Sequence, residues 1–259
     1  MRKIYVLPNL FTTASLFCGL FAILNVFNVA EAGELESYRY ELSCWLILAA
    51  AVLDFFDGWV ARMTQTESAF GVQYDSLSDL VAFGVAPAVL IYTRLIEMEN
   101  RNAAEVIAAI YVVCGALRLA RFNVQKSRIE KLSFTGLPIP AAAGVVVSGF
   151  LFLQIIDPEW NHELVLRILP VIMIVVSYLM VSTIPYPSLK NLRLERRRQF
   201  EVLPLIMVML AIIYLLKNYL YALIFCGFAG YVGWGIVMHL LNLGKRDAKA
   251  SHTSETEPR

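Results

Sequence analysis

Four aspartates, Asp54, Asp57, Asp75 and Asp79, stand at the edges of two strongly apolar stretches of this 259-residue chain. An ionised carboxylate in or beside hydrocarbon costs roughly 2.5 kcal/mol or more unless something compensates it, so four together demand a cation. On a helix, Asp54, Asp57, Gly58 and Ala61 recur at i, i+3, i+4 and i+7, and Gly71, Asp75 and Asp79 at i, i+4 and i+8. Each set therefore makes one stripe, and the two acidic stripes can face each other. Carboxylate oxygens with no histidine or cysteine among them suit a hard cation such as Mg²⁺ or Mn²⁺, which usually also holds substrate phosphates. Gly58, Ala61 and Gly71 on the same stripes clear side-chain bulk for a ligand, although small residues serve helix packing equally well. Acid beside empty space predicts a metal-phosphate site.

The elements that position these stripes are membrane spans. The chain is 58% hydrophobic, with a mean hydropathy of +0.62, which excludes a soluble domain of this size. Stretches long and apolar enough to cross hydrocarbon occur at about 10–28, 42–61, 72–96, 103–120, 139–156, 164–184, 202–216 and 219–241, the seventh being short. The prediction is an all-α integral membrane protein of about eight helices, with the metal site between the second and third. The first apolar run follows Met1-Arg2-Lys3 without a small-residue cleavage site, so that span is expected to persist. With the N-terminus in the cytoplasm, sixteen Lys and Arg fall in inner segments, against Arg39, Arg101 and Lys217 in outer loops. The connection at 62–71 is then inside, and the site opens to the cytoplasm, with both termini there.

The order Asp-x2-Asp-Gly-x2-Ala-Arg-x8-Gly-x3-Asp-x3-Asp, from Asp54 to Asp79, resembles the signature of the CDP-alcohol phosphatidyltransferases. Three further segments carry the likeness from the N-terminus to about residue 144: Pro8-Asn9-Leu10-Phe11-Thr12, Leu117-Arg118-Leu119-Ala120-Arg121-Phe122-Asn123, and Phe134-Thr135-Gly136-Leu137-Pro138-Ile139-Pro140. Together they are similar to the phosphatidylserine synthase branch. The resemblance implies transfer of a phosphatidyl group from CDP-diacylglycerol to L-serine in a bacterial or archaeal plasma membrane, with membrane lipid as a partner. It implies Asp54, Asp57, Asp75 and Asp79 as ligands of Mg²⁺ or Mn²⁺, two ions in all, with Asp79 completing the second site or acting as general base. Asn9, Thr12, Asp54, Gly58, Ala61, Arg62 and Gly71 would contact the CDP-lipid.

Several of these residues have plainer uses. Asn9 and Thr12 can cap the first helix, and Arg62 can snorkel at the inner boundary. Arg118 and Arg121, one turn apart with Asn123 close behind, can likewise anchor a helix end. An amino-acid acceptor brings a carboxylate, however, and the planar fork of Arg suits it, so these three are the candidate serine contacts. Gly136 to Pro140 is a rigid entry to the fifth span.

Two alternatives stay open: the same chemistry with glycerol 3-phosphate or an inositol compound as acceptor, or a cation transporter. Against transport, the acids lie at one boundary and have no second copy. Cys18, Cys44, Cys114 and Cys226 are dispersed and read as buried free thiols, and His162, His239 and His252 form no motif. The basic run Arg193 to Arg198 reads as an orientation determinant. The expected organisation is a catalytic domain over 1–241, with a family core at about 1–185, extra helices at 202–241 and a disordered polar tail at 242–259. No nucleic-acid partner is expected, and a homodimer is compatible with the pattern.

Overall fold

The computed structural model describes residues 6–27, 36–64, 68–96, 101–126, 136–156, 162–184, 186 and 220–254. Among them every regular element is helical: α1 (Val6–Phe27), α2 (Glu36–Thr64), α3 (Ala69–Asp79), α4 (Ala86–Ile96), α5 (Arg101–Lys126), α6 (Ile139–Ile156), α7 (His162–Val181) and α8 (Leu220–Ser254). A π-helical segment, Leu80–Val85, joins α3 to α4 in one continuous rod. Among the described residues, five stretches are long and apolar enough to cross a membrane: Asn9–Phe27, Tyr38–Ala61, Ala69–Ile96, Arg101–Val124 and Leu220–Leu241. Ile139–Gln154 and Arg167–Val181 are shorter apolar helices, and the expected span at 202–216 lies outside the described residues. Large side chains such as Phe17, Phe21, Val113 and Tyr178 face outward, as a chain surrounded by lipid tails permits. Of the four thiols, Cys44 is buried and Cys18 and Cys114 are half-buried, but Cys226 is exposed on α8, where an apolar surround makes burial unnecessary.

The α3–α4 rod runs through the centre and touches α1, α2, α5 and α6. Its π segment has a local cause and a local remedy. Pro87, two residues past its end, brings no N–H to the preceding turn, and the Phe83 carbonyl accepts a hydrogen bond from the buried Tyr111 hydroxyl of α5 at 3.1 Å. Around it Phe83, Leu90, Ile91, Leu137, Ile139 and Phe150 form a fully enclosed core.

Helix α8 packs on α6, where Phe152 and Phe225 stack with ring centroids 5.2 Å apart. It also reaches α2 through a short hydrogen bond between the Tyr221 hydroxyl and the Glu41 carboxylate. Its backbone stays helical to Ser254, continuing into the polar stretch that composition assigns to a tail; Lys245, Arg246, Ala248, Lys249 and Ala250 there are good helix formers.

Candidate active site

Three helices bring the acidic stripes together, and their contacts begin at the N-terminus of α3. Ser68 caps that helix, its Oγ accepting the Gly71 N–H at 2.9 Å while its carbonyl accepts the Val72 N–H at 3.1 Å. A Cβ on Gly71 would lie 3.1 Å from Ser68 Oγ and 3.5 Å from Asn9 Oδ1, so the missing side chain lets α1 and α3 meet. Helix α1 is fastened to both neighbours. The Ser15 hydroxyl donates to the Ala50 carbonyl of α2 at 3.1 Å, Ser78 donates to the Thr12 carbonyl at 3.1 Å, and the Thr13 and Tyr74 hydroxyls lie 2.9 Å apart. Such interhelical bonds between small polar residues fix register where lipid supplies no hydrophobic force between helices.

Asp54 of α2 then converges with Asp75 and Asp79 of α3, with carboxylate oxygens within 4.8 Å of one another. Like charges this close resist joint ionisation unless a cation is shared, and an all-oxygen donor set is the kind that Mg²⁺ and Mn²⁺ select. The residues fit the metal predicted for them. Asp57 is placed differently. It lines the same cavity but lies outside the three-carboxylate cluster, and it is 6% exposed, accepting a short hydrogen bond from the Thr12 hydroxyl. The i, i+3 spacing explains this: Asp57 is turned about 60° around α2 from Asp54, toward α1. The four-carboxylate cluster expected from the sequence is thus three converging groups and one held aside.

All four belong to one cavity of about 1060 Å³, whose lining also includes Asn9, Thr12, Gly58, Ala61, Gly71, Arg118 and Asn123. The Asn123 amide donates to Ser76 Oγ at 2.9 Å, tying α5 to α3. The side chain of Arg62 lies outside the described residues.

The two arginines of α5 have different surroundings. Arg118 lines the cavity, its guanidinium carbon 5.6 Å from the Phe122 ring centroid, within electrostatic reach of Asp79, Asp54 and Tyr231. Arg121 instead caps the end of α7, donating to the Val181 carbonyl at 3.1 Å and the Ser182 carbonyl at 3.0 Å. Those are terminal carbonyls that the helix itself leaves unpaired. The Gly136 N–H donates nearby to Ile184 at 2.8 Å, and the Leu137 N–H to Leu179 at 3.0 Å. Gly136 has φ +88°, and a Cβ there would run into the Met180 carbonyl oxygen and come within 2.6 Å of Arg121 Nη2. Arg121 and Gly136 form one structural lock, whereas Arg118 lines the cavity.

Sequence reasoning missed another part of the lining. Tyr231 of α8 and Tyr186, which follows α7, both border the cavity, and their ring centroids are 5.7 Å apart. Tyr186 is 3% exposed, and its hydroxyl has no hydrogen-bond partner among the described residues. Burial, with Tyr231 beside it, pushes its phenol up to about 12, so the group is neutral at physiological pH. Leu223, Ile224, Gly227 and Phe228 of α8 continue the apolar lining opposite Trp45, Leu48, Val52 and Phe55 of α2. A tyrosine in an apolar run and another between two prolines carry no spacing signal that would have singled them out.

Residues 5–184 match the CDP-alcohol phosphatidyltransferase family. The chain is 38% identical over 199 residues to the CDP-diacylglycerol-serine O-phosphatidyltransferase of Helicobacter pylori, covering 74% of this chain and 76% of that protein. It is 38% identical over 188 residues to the archaetidylserine synthase of Methanothermobacter thermautotrophicus, with 72% and 71% covered. Against the CDP-diacylglycerol-serine O-phosphatidyltransferase of Bacillus subtilis the identity is 32% over 187 residues, with 71% and 92% covered. The matched region contains the whole acidic cluster and ends just before Tyr186. On the strength of a match spanning most of its length, the chain belongs to the CDP-alcohol phosphatidyltransferase family.

Proposed function

We propose that this protein transfers the phosphatidyl group of CDP-diacylglycerol to the hydroxyl of L-serine, releasing CMP and forming phosphatidylserine. One observation carries the reading: a single cavity is lined both by three converging carboxylates and by apolar side chains of α2 and α8. A donor with a charged pyrophosphate and hydrocarbon tails needs both. The serine acceptor is supported by the names of the relatives in Helicobacter pylori and Bacillus subtilis.

In this reading Asp54, Asp75 and Asp79 hold Mg²⁺ or Mn²⁺, two ions as the family resemblance implies, with Asp57 in reserve as a further ligand. A divalent ion held by these carboxylates would supply Lewis-acid neutralisation of the pyrophosphate charge. The rest falls to the chain itself. Asn9, Thr12, Gly58, Ala61 and Gly71 border the nucleotide and pyrophosphate, with Arg62 as a phosphate contact. Arg118 holds the serine carboxylate in its planar fork, and Asn123 supports the same end. Asp79, in reach of Arg118, takes the proton as the serine oxygen bonds to the phosphatidyl phosphorus. The bond from that phosphorus to the bridging oxygen breaks, and CMP leaves with that oxygen.

The fuller topology belongs to the same proposal: eight spans, both termini cytoplasmic, and the site open to the cytoplasm, supported by the asymmetry of Lys and Arg. Cysteines introduced singly at Thr66, Ser127 and Leu194 should label only from the cytoplasmic side, and those at Glu36 and Trp160 only from outside; the reverse at Thr66 would put the site on the wrong face. The activity is tested by incubating membranes carrying the protein with CDP-diacylglycerol, Mn²⁺ or Mg²⁺ and labelled acceptors. Serine should be the preferred acceptor. Preference for glycerol 3-phosphate or inositol would overturn that assignment while leaving the metal chemistry standing.

A further inference from the structure

The chain beyond the family-matched region supplies part of the cavity wall, and its polar groups are tyrosines. Tyr186 is almost wholly buried, yet its hydroxyl has no hydrogen-bond partner among the described residues, although burying a polar group unpaired is costly. Its ring is held in place from behind: a Cβ on Gly235 of α8 would collide with it, so the two surfaces are in close contact. Tyr231 lies beside it with the ring planes 34° apart, and Tyr231 is also in electrostatic reach of Arg118. The order across this wall is therefore Asp79, Arg118, Tyr231, Tyr186.

That order complements a molecule with three different polar ends. Arg118 is a donor only, so it selects a carboxylate and repels an ammonium. The acid at Asp79 is where the hydroxyl must arrive. An ammonium needs acceptor atoms away from the guanidinium, and a neutral phenol oxygen and two tilted aromatic rings provide them.

Resting on the phosphatidylserine synthase reading, we infer that Tyr186 and Tyr231 form the ammonium subsite for the amino-acid acceptor. The Tyr186 oxygen accepts a hydrogen bond from the serine α-ammonium, and the rings of both residues border its charge. Helix α8 is then a specificity element, confining the acceptor to an α-amino acid. Alcohols that carry a phosphate or no charge leave the subsite empty.

The test is steady-state kinetics of full-length protein bearing Tyr186→Phe, a change that removes one oxygen and keeps the ring. Serine KM should rise about tenfold, with CDP-diacylglycerol KM within about twofold of the unaltered value. Inhibition by 3-hydroxypropionate, which has the hydroxyl and carboxylate but no ammonium, should be equal for both proteins. Tyr231→Phe, which retains the ring, should have the smaller effect on serine KM. An unchanged serine KM in Tyr186→Phe, or 3-hydroxypropionate inhibition weakened in parallel with serine, overturns the subsite. Thermal unfolding in detergent distinguishes a folding defect: if Tyr186→Phe is destabilised, the serine-to-3-hydroxypropionate ratio of the folded fraction still decides. Should the unaltered protein release no serine-dependent CMP at all, the phosphatidylserine synthase reading itself fails, whatever the tyrosine variants do.

Discussion

The two sides of the cavity are built on different terms. On the acidic side, α1, α2 and α3 are stitched together by Ser15, Ser78, Thr13 and Tyr74, and the fourth aspartate is itself hydrogen-bonded to Thr12. On the opposite side, Arg118, Tyr231 and Tyr186 come from α5, from α8 and from the segment after α7, and a buried hydroxyl lacks a partner among the described residues. Internal satisfaction suits machinery that must keep one geometry whichever alcohol is used. An unmet hydrogen bond suits a place where the substrate completes the wall.

The contrast is most exposed to disproof at the carboxylates. Asp54→Asn, Asp75→Asn or Asp79→Asn removes charge from a cluster whose oxygens lie within 4.8 Å, and each should lower CMP release by roughly a thousandfold or more while the protein still inserts. A variant that keeps near-normal turnover takes its residue out of the site. Next in size is the opposite wall. Arg118→Lys keeps the charge but loses the fork, so serine KM should rise roughly ten- to a hundredfold, with a much smaller change for CDP-diacylglycerol. Equal changes in both constants would mean that Arg118 only shapes the cavity.

Thr12→Val should act more mildly, lowering turnover by about tenfold as the Asp57 carboxylate loses its hydroxyl donor and swings. If turnover is unaffected, the Thr12 hydrogen bond does not set where Asp57 sits. The mildest kinetic change should come from Arg121→Lys. Because Arg121 caps Val181 and Ser182, its replacement should lower the detergent Tm by a few degrees and leave serine KM within about twofold. A large rise in serine KM there would place Arg121 at the acceptor site as well.

What could be foreseen from the residues alone follows from which interactions are local. The i, i+4 spacing of Gly71, Asp75 and Asp79 fixes their common face, so their convergence with Asp54 could be foreseen from one helix pair. Spacing gives the turn of Asp57 away from Asp54 but not what Asp57 meets there, because Thr12 lies forty-five residues away on a helix whose rotation no spacing reveals. The same holds for the arginines: one turn apart on α5, they differ only because the end of α7 lies beside Arg121. Hydropathy anticipated the five candidate spans found among the described residues but could not tell what α8 does, because its contribution to the cavity rests on packing against α6 and α2.

Division of the cavity into an acidic, metal-dependent side and an acceptor-reading side is decided by one assay, CMP release from CDP-diacylglycerol. It is measured with and without L-serine, and before and after divalent ions are removed by EDTA. Release should require both serine and a divalent ion, and Mg²⁺ or Mn²⁺ should restore it after chelation whereas the larger Ca²⁺ should not. Full release in chelator would contradict the metal site, and release at the same rate without serine would contradict the acceptor.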